Sequence, residues 1–325
     1  MSASAPTSKV TLAGAGEPRA CATGDYGPDG YGIVVEDGAA FSTRTLCHFR
    51  HSFSTHPLLS LDRLQVLGSS LYETAQCRFN PLGTTDSSPF NPLKKAPDGR
   101  SISDVFRGIE EPGSWIALYN IETDPTYNRF LWDVMRVFAP LLAKHEKVFD
   151  IRGFIFVSAP PSTTPFHIDR ENNFWMQIRG RKKLSVWRHT DRSVVPARQV
   201  EDFIVTRSLK NVALTDAIRS RSLDFDCGPG DGVFFPSTTP HMTHSDTGWT
   251  RPGDCVAISI GINFYTNLTR RNAYVHNFNR IVRKFGFNPR FPGEVDWLDR
   301  LRYPFGRAAF EFQRRFRGLR APPGF

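Results

Sequence analysis

Apolar residues recur at a helical period after His56-Pro57: Leu58, Leu59, Leu61, Leu64, Val66 and Leu67. The fixed φ of Pro57 suits a first helical position, so a helix is predicted to open there. Asp124-Pro125 is a second helix start. It leads into a stripe of Phe130, Leu131, Val134, Met135, Val137, Phe138, Leu141 and Leu142, which Pro140 is predicted to kink. Ser103 is placed as the cap of a short helix through Phe106. A strand is expected over 31–35. A long loop is expected over 78–100, where Pro81, Pro89, Pro92 and Pro97 interrupt any period.

After Phe149 the texture changes to short apolar runs. Strands are predicted over 152–159, 174–178, 183–187, 202–206, 222–226, 232–236 and 256–265. Gly180, Gly228-Pro229-Gly230-Asp231 and Pro252-Gly253 punctuate them. Many short strands at close spacing predict an antiparallel sandwich or barrel. Beyond Asn267 the helical period returns, through Tyr274, Phe278, Ile281 and Val282, then Leu298, Leu301, Phe305, Phe310 and Phe316. The fold class is therefore mainly β with flanking helices. Four regions follow: a loose N-terminus (1–30, rich in Gly, Ala, Ser and Pro), a helical region packing on the core (31–149), the β core (150–267) and a helical C-terminal region (268–325).

Composition adds limits. An apolar fraction of 40% in 325 residues supports a real core and excludes a disordered chain. No apolar run reaches about 18 residues, so no membrane-spanning helix is expected. Met1 to Pro6 carries no secretory pattern. The five cysteines (Cys21, Cys47, Cys77, Cys227 and Cys255) form no CxxC pair. Neither a disulfide scaffold nor a zinc ribbon is supported, and a reduced, cytoplasmic protein is expected. The net charge of +9 is local: residues 270–325 hold 13 basic and four acidic residues, and the other 269 balance at 28 of each sign. A nucleic-acid-coating body is not expected.

His167-Ile168-Asp169 is the first chemical candidate, because residues i and i+2 of a strand share a face. His241, shortly after the apolar run 232–235, supplies a third group, with His244 as its alternative. Two imidazoles and one carboxylate on one face form the facial triad of non-haem Fe(II) oxygenases, with open positions for a co-substrate and O2. Gly180 turns the chain back so that Lys182 begins a strand in the same sheet, where it can meet the far carboxylate of a chelated dicarboxylate. Lys182 also belongs to a basic cluster with Arg179, Arg181 and Lys183, which reads equally as solvated charge. His48, His51 and His56 are read as ordinary polar residues, and His189 and His276 have no partner in the sequence.

The text around these residues resembles the JmjC/cupin-like 2-oxoglutarate oxygenases, closest in pattern to the asparaginyl hydroxylase that inhibits hypoxia-inducible factor. Three ordered blocks over 150–266 carry the resemblance. The first matches Thr164, Pro165, His167, Asp169, Asn173, Phe174, Trp175, Gln177, Ile178, Gly180 and Lys182. The second matches Gly230-Asp231, Pro236 and His241, and the third Asn263-Phe264-Tyr265.

The resemblance implies a double-stranded β-helix (jelly-roll, cupin) core. It implies Fe(II) on His167, Asp169 and His241, and 2-oxoglutarate held at its far carboxylate by Lys182 and Thr164. Asn173 and Asn263 would line that pocket, with Trp175 beside it. It implies O2-dependent hydroxylation of a C–H bond, with succinate and CO2 as co-products. The target would be a protein or peptide side chain, or a small molecule. Two other readings stay open: a metal-dependent cupin enzyme that does not use 2-oxoglutarate, and a non-catalytic binding protein on the same scaffold. Related oxygenases dimerise through C-terminal helices. The alternating aromatics and arginines of 310–317 therefore read as a helix packing on the core or on a twin subunit, ahead of a nucleic-acid contact.

Overall fold

The computed structural model describes residues 30–35, 41–81, 83–249, 255–317 and 324–325. In chain order the strands are β1 (Ile33–Val34), β2 (Cys47–His51), β3 (Cys77–Phe79), β4 (Trp115–Tyr119), β5 (Val148–Ser158) and β6 (Ser162–Ile168). They continue with β7 (Asn172–Arg179), β8 (Lys182–Val186), β9 (Leu223–Cys227), β10 (Asp231–Phe235), β11 (Pro240–Ser245) and β12 (Ala257–Thr266). The helices are α1 (Leu61–Glu73), α2 (Ile102–Arg107), α3 (Pro125–Phe138), α4 (Ala197–Thr206), α5 (Asp216–Arg219), α6 (Asn267–Arg283) and α7 (Asp296–Arg317).

Among the described residues the strands form two antiparallel sheets. The larger runs β1-β2-β10-β7-β12-β5-β4-β3 and the smaller β6-β11-β8-β9. From β5 onward the chain passes back and forth between the sheets, apart from the antiparallel pair β8 and β9, which α4 and α5 separate in sequence. That winding is a double-stranded β-helix, the jelly roll expected from the sequence.

Strand alternation divides the larger sheet into two buried faces. Phe174, Met176 and Ile178 of β7, with Ile260, Ile262 and Phe264 of β12, join the apolar core that includes Leu64, Leu67 and Leu71 of α1 and Phe130, Leu131, Val134 and Phe138 of α3. The intervening Asn173, Trp175, Ser259, Gly261 and Asn263 face the space between the sheets. A second core on the smaller sheet joins Phe166, Ile168 and Trp187 to Val200, Phe203 and Ile204 of α4 and Ala273 of α6. Gly180 makes the tight β7–β8 turn at φ 65°, where an added Cβ would come within 2.7 Å of the Val256 carbonyl oxygen.

Several local expectations are corrected. Residues 202–206 are the end of helix α4, not a strand, because Val200, Phe203 and Ile204 fall on one helical face and bury together. Pro57 opens a single 3₁₀ turn (Pro57–Leu59), and α1 begins only after Ser60, whose backbone is extended. The cap of α2 is Ser101, whose hydroxyl accepts from the Asp104 N–H at 3.2 Å, so Ser103 lies inside the helix. Asp124 does cap α3, accepting from the Thr126 and Tyr127 N–H groups. Pro140 lies two residues past the end of α3, within a 3₁₀ turn, so it stands outside the helix instead of kinking it. The region 31–149 contributes β1 to β4 to the larger sheet as well as its helices. The expected loop 78–100 opens inside β3, and Phe79 bridges Leu93.

Candidate metal centre

β6 and β11 are antiparallel neighbours, and their register sets His167 directly opposite His241. The two rings lie 4.1 Å apart, centroid to centroid. Asp169, just past the end of β6, brings its carboxylate to 3.9 Å from His167 Nε2 and 3.5 Å from His241 Nε2. One ligand atom from each of the three lies within 4.8 Å of the others, a spacing suited to one metal ion. His244 is outside this cluster. It lies past a register shift in β11, its Nδ1 sits 3.1 Å from Thr163 Oγ1, and its side chain is partly solvent-exposed.

The backbone orients both imidazoles. His167 Nδ1 lies 2.7 Å from the Pro165 carbonyl oxygen and His241 Nδ1 3.0 Å from that of Thr239. Each Nδ1 therefore donates to a carbonyl, which leaves each Nε2 as a free acceptor turned toward Asp169. Burial pushes both histidines down to about 4, so they are neutral, the ligating form, at neutral pH. Burial raises the Asp169 carboxyl above its usual range, opposed by the neighbouring His241.

The three residues open into a cavity of about 220 Å³ between the sheets. Thr164, Asn173, Trp175 and Asn263 are among the residues that line it. Lys182 is buried at the start of β8, and its ammonium donates to Ser259 Oγ at 3.2 Å. Ser259 is itself a cavity residue. Burial lowers Lys182 to about 7. Among the described residues it makes no ion pair, so the basic cluster resolves: Arg181 and Lys183 face Asp226 and Asp224 outside, and Lys182 points inward.

Two amide oxygens that line the cavity lack hydrogen-bond partners. The Oδ1 atoms of Asn173 and Asn263 are buried without a hydrogen bond. Gly261 lies between them, and an added Cβ there would come within 3.1 Å of Asn173 Oδ1. Trp115 Nε1 donates to Thr164 Oγ1 at 3.3 Å, leaving the threonine hydroxyl hydrogen free to donate elsewhere. A buried cation, a threonine hydroxyl free to donate and a set of two imidazoles and a carboxylate fit a metal together with an anionic co-substrate.

The sequence reading missed Ser259, Gly261 and Phe90. The first two sit at i−4 and i−2 from Asn263, and strand alternation alone would have found them. Phe90 stacks on His167 at 4.1 Å from a proline-rich segment that carries no period. The three N-terminal histidines make local contacts: His51 accepts from the Phe53 N–H, His56 from the Leu58 N–H, and His48 lies 3.5 Å from Asp231.

No protein-family model and no curated protein matches this sequence. Solved structures do show likenesses. The ribosomal oxygenase YcfD of Escherichia coli, in complex with cobalt and 2-oxoglutarate, is 15% identical with a TM-score of 0.42, over 82% of this chain and 61% of that one. A further structure of E. coli YcfD gives 15% identity, 87% and 69% coverage, and a TM-score of 0.45. The non-haem α-ketoglutarate-dependent carbocyclase SnoK from nogalamycin biosynthesis is 15% identical, over 70% of this chain and 85% of that one, with a TM-score of 0.42. This chain thus spans about 61% of the first of these oxygenases.

Proposed function

We propose that the protein is an Fe(II)- and 2-oxoglutarate-dependent oxygenase that hydroxylates an unactivated C–H bond, in the first instance of a protein or peptide side chain. The observation that carries this reading is one cavity holding the His167–Asp169–His241 cluster at one place and reached at another by the unpaired Lys182 ammonium, through Ser259. When bound, the iron and 2-oxoglutarate supply O2 activation with release of succinate and CO2. The chain's own residues bind and orient. His167 and His241 offer Nε2 because Pro165 and Thr239 hold their other nitrogen. Lys182 supplies a charge-assisted contact to the far carboxylate, and the Thr164 hydroxyl, oriented by Trp115, donates to the same end. Asn173 and Asn263 line the same cavity, where their amide Nδ2 groups would be the donors to the co-substrate oxygens. Phe90, lying on His167, limits water access.

A peptide-type target follows the motif likeness to the asparaginyl hydroxylase. A cytoplasmic setting belongs to the same reading and accords with Cys77 and Cys227 being buried free thiols. No helix among the described residues is long and apolar enough to cross a membrane. A homodimer through the C-terminal helices is also part of the proposal. Trp297, Leu301, Phe305, Phe312 and Phe316 form an exposed apolar stripe on α7, which a second copy would cover.

The direct test is mass spectrometry of cell-extract proteins and metabolites treated with enzyme, Fe(II), ascorbate and 2-oxoglutarate. The reading expects a product heavier by one oxygen atom that disappears with His167→Ala. An oxygenated metabolite and no oxygenated protein would move the target to the small-molecule class. No product and no binding of metal or 2-oxoglutarate would favour a non-catalytic role.

A further inference from the structure

A second cavity, of about 430 Å³, lies against the metal centre. One wall is the 87–91 segment and the other the 207–214 segment that follows α4, with Phe166 of β6 between them. Phe90 belongs to both cavities: its ring lies on His167, 18° from parallel, and also lines the groove. The 87–91 wall is fixed in place. Asp86 forms an ion pair with Arg219, its carbonyl accepts from the Phe166 N–H at 3.2 Å, and Arg219 Nη2 donates to Ser87 Oγ at 3.3 Å.

Size divides the two spaces. The metal-side cavity of about 220 Å³ is below the roughly 300–1,000 Å³ of sites that enclose a whole small ligand. Once a co-substrate occupies it, the body of a target must lie outside. The groove is the adjoining space, one phenyl ring away from a metal-binding histidine.

The groove's walls state what it would hold. Phe166, Val212 and Leu214 make a buried apolar floor. Arg207 and Lys210 stand exposed at the rim, and no acidic residue lines the groove. The nearby Arg219 and Arg280 are paired with Asp86 and Asp202, whereas Arg207 and Lys210 make no ion pair among the described residues. Arg207 is held at φ 62°, an uncommon conformation for a residue with a side chain, where it caps α4 by donating its N–H to the Phe203 carbonyl at 2.8 Å. Both walls carry exposed lining residues (Ser87, Pro89 and Asn91; Arg207, Lys210 and Ala213), so the groove opens to solvent between them.

We propose that this groove binds the target of the reaction, and that the target is an acidic peptide segment. A carboxylate side chain would meet Arg207 and Lys210, an apolar one would rest on Phe166, Val212 and Leu214, and the residue to be oxidised would pass Phe90 toward the metal. The inference rests on the oxygenase reading and adds its substrate class and docking site.

The test uses full-length protein loaded with Mn(II) and 2-oxoglutarate, and fluorescence anisotropy of a labelled peptide of alternating Glu and Leu, with a Lys-Leu peptide as control. The Glu-Leu peptide should bind in preference. The double variant R207E/K210E, altered only at exposed positions, should weaken it at least about tenfold. Calorimetric binding of Mn(II) and 2-oxoglutarate to that variant should be unchanged. Equal binding of both peptides, or an unaffected double variant, overturns the proposal. So does saturable binding of octanoate that the double variant loses, if the peptide does not bind, because the groove would then belong to a small aliphatic acid. If the peptide binds as expected but the wild-type protein takes up neither Mn(II) nor 2-oxoglutarate, the oxygenase reading fails while the groove stands as a peptide site.

Discussion

Lys182 reaches from the smaller sheet to the larger, where its ammonium donates to the Ser259 hydroxyl at 3.2 Å; no carboxylate of the described residues pairs with it. A cation is thus buried for the sake of something that the fold itself does not supply. Burial lowers Lys182 from its ordinary 10.5 to about 7, a desolvation cost on the order of 5 kcal/mol. Removing that cost should stabilise the ligand-free protein. Lys182→Met is expected to raise the melting temperature by several degrees while 2-oxoglutarate binding is lost. Differential scanning calorimetry without ligand checks this, and a lower melting temperature would contradict it.

The same residue fixes a pH dependence. The unfolded chain holds the Lys182 proton up to about 10.5, and the ligand-free folded state gives it up near 7. Between these values the unfolded state binds more protons, so this residue makes stability rise with pH, with its full penalty below 7. Binding a dicarboxylate needs the ammonium. Above pH 7 binding should therefore take up close to one proton, and affinity should fall by up to about tenfold per pH unit. Titration calorimetry at pH 8 in buffers of different ionisation enthalpy measures the uptake, and no difference between buffers would count against a charged contact at Lys182.

His241 and His244 offer a clean contrast. His241→Ala should remove Mn(II) or Co(II) binding, since it deletes one of three clustered ligand atoms. His244→Ala should leave metal affinity within a few-fold of wild type, because its ring contacts Thr163 and lies outside the cluster. Metal titration followed by electron paramagnetic resonance or calorimetry separates the two.

The α7 stripe predicts a change in assembly. Leu301→Glu together with Phe305→Glu places two charges on an exposed apolar face without touching the buried Phe310. Light scattering after size-exclusion chromatography should show a dimer for wild type and a monomer for the variant. A wild-type monomer would remove the dimer from the account.

The site was legible where its residues are short-range. His167 and Asp169 are two residues apart and Lys182 follows one tight turn at Gly180, whereas Asn173 and Asn263 were named only through the family resemblance. What was missed depends on tertiary contacts. β11 reads Pro-His-Met-Thr-His-Ser, polar text that becomes a strand only because β6 and β8 flank it. The run Phe203-Ile204-Val205-Thr206 has strand composition, yet burial of Val200, Phe203 and Ile204 on one core makes it helical. Phe90 comes to lie on His167 through a segment anchored by the Asp86–Arg219 pair, whose partners are 133 residues apart. No local pattern encodes such a contact.

The central claim is that the metal and a dicarboxylate share one cavity, between His167, Asp169 and His241 and the Lys182 ammonium. Calorimetric titration of 2-oxoglutarate into the protein, with and without Mn(II), tests it most directly when run in parallel on Lys182→Met and His167→Ala. The account predicts binding to wild type that requires Mn(II), disappears with His167→Ala, and weakens at least about a hundredfold with Lys182→Met, the loss expected for a charge-assisted contact made in a buried site. Absence of binding to the wild-type protein, or binding indifferent to both the metal and Lys182, would contradict it.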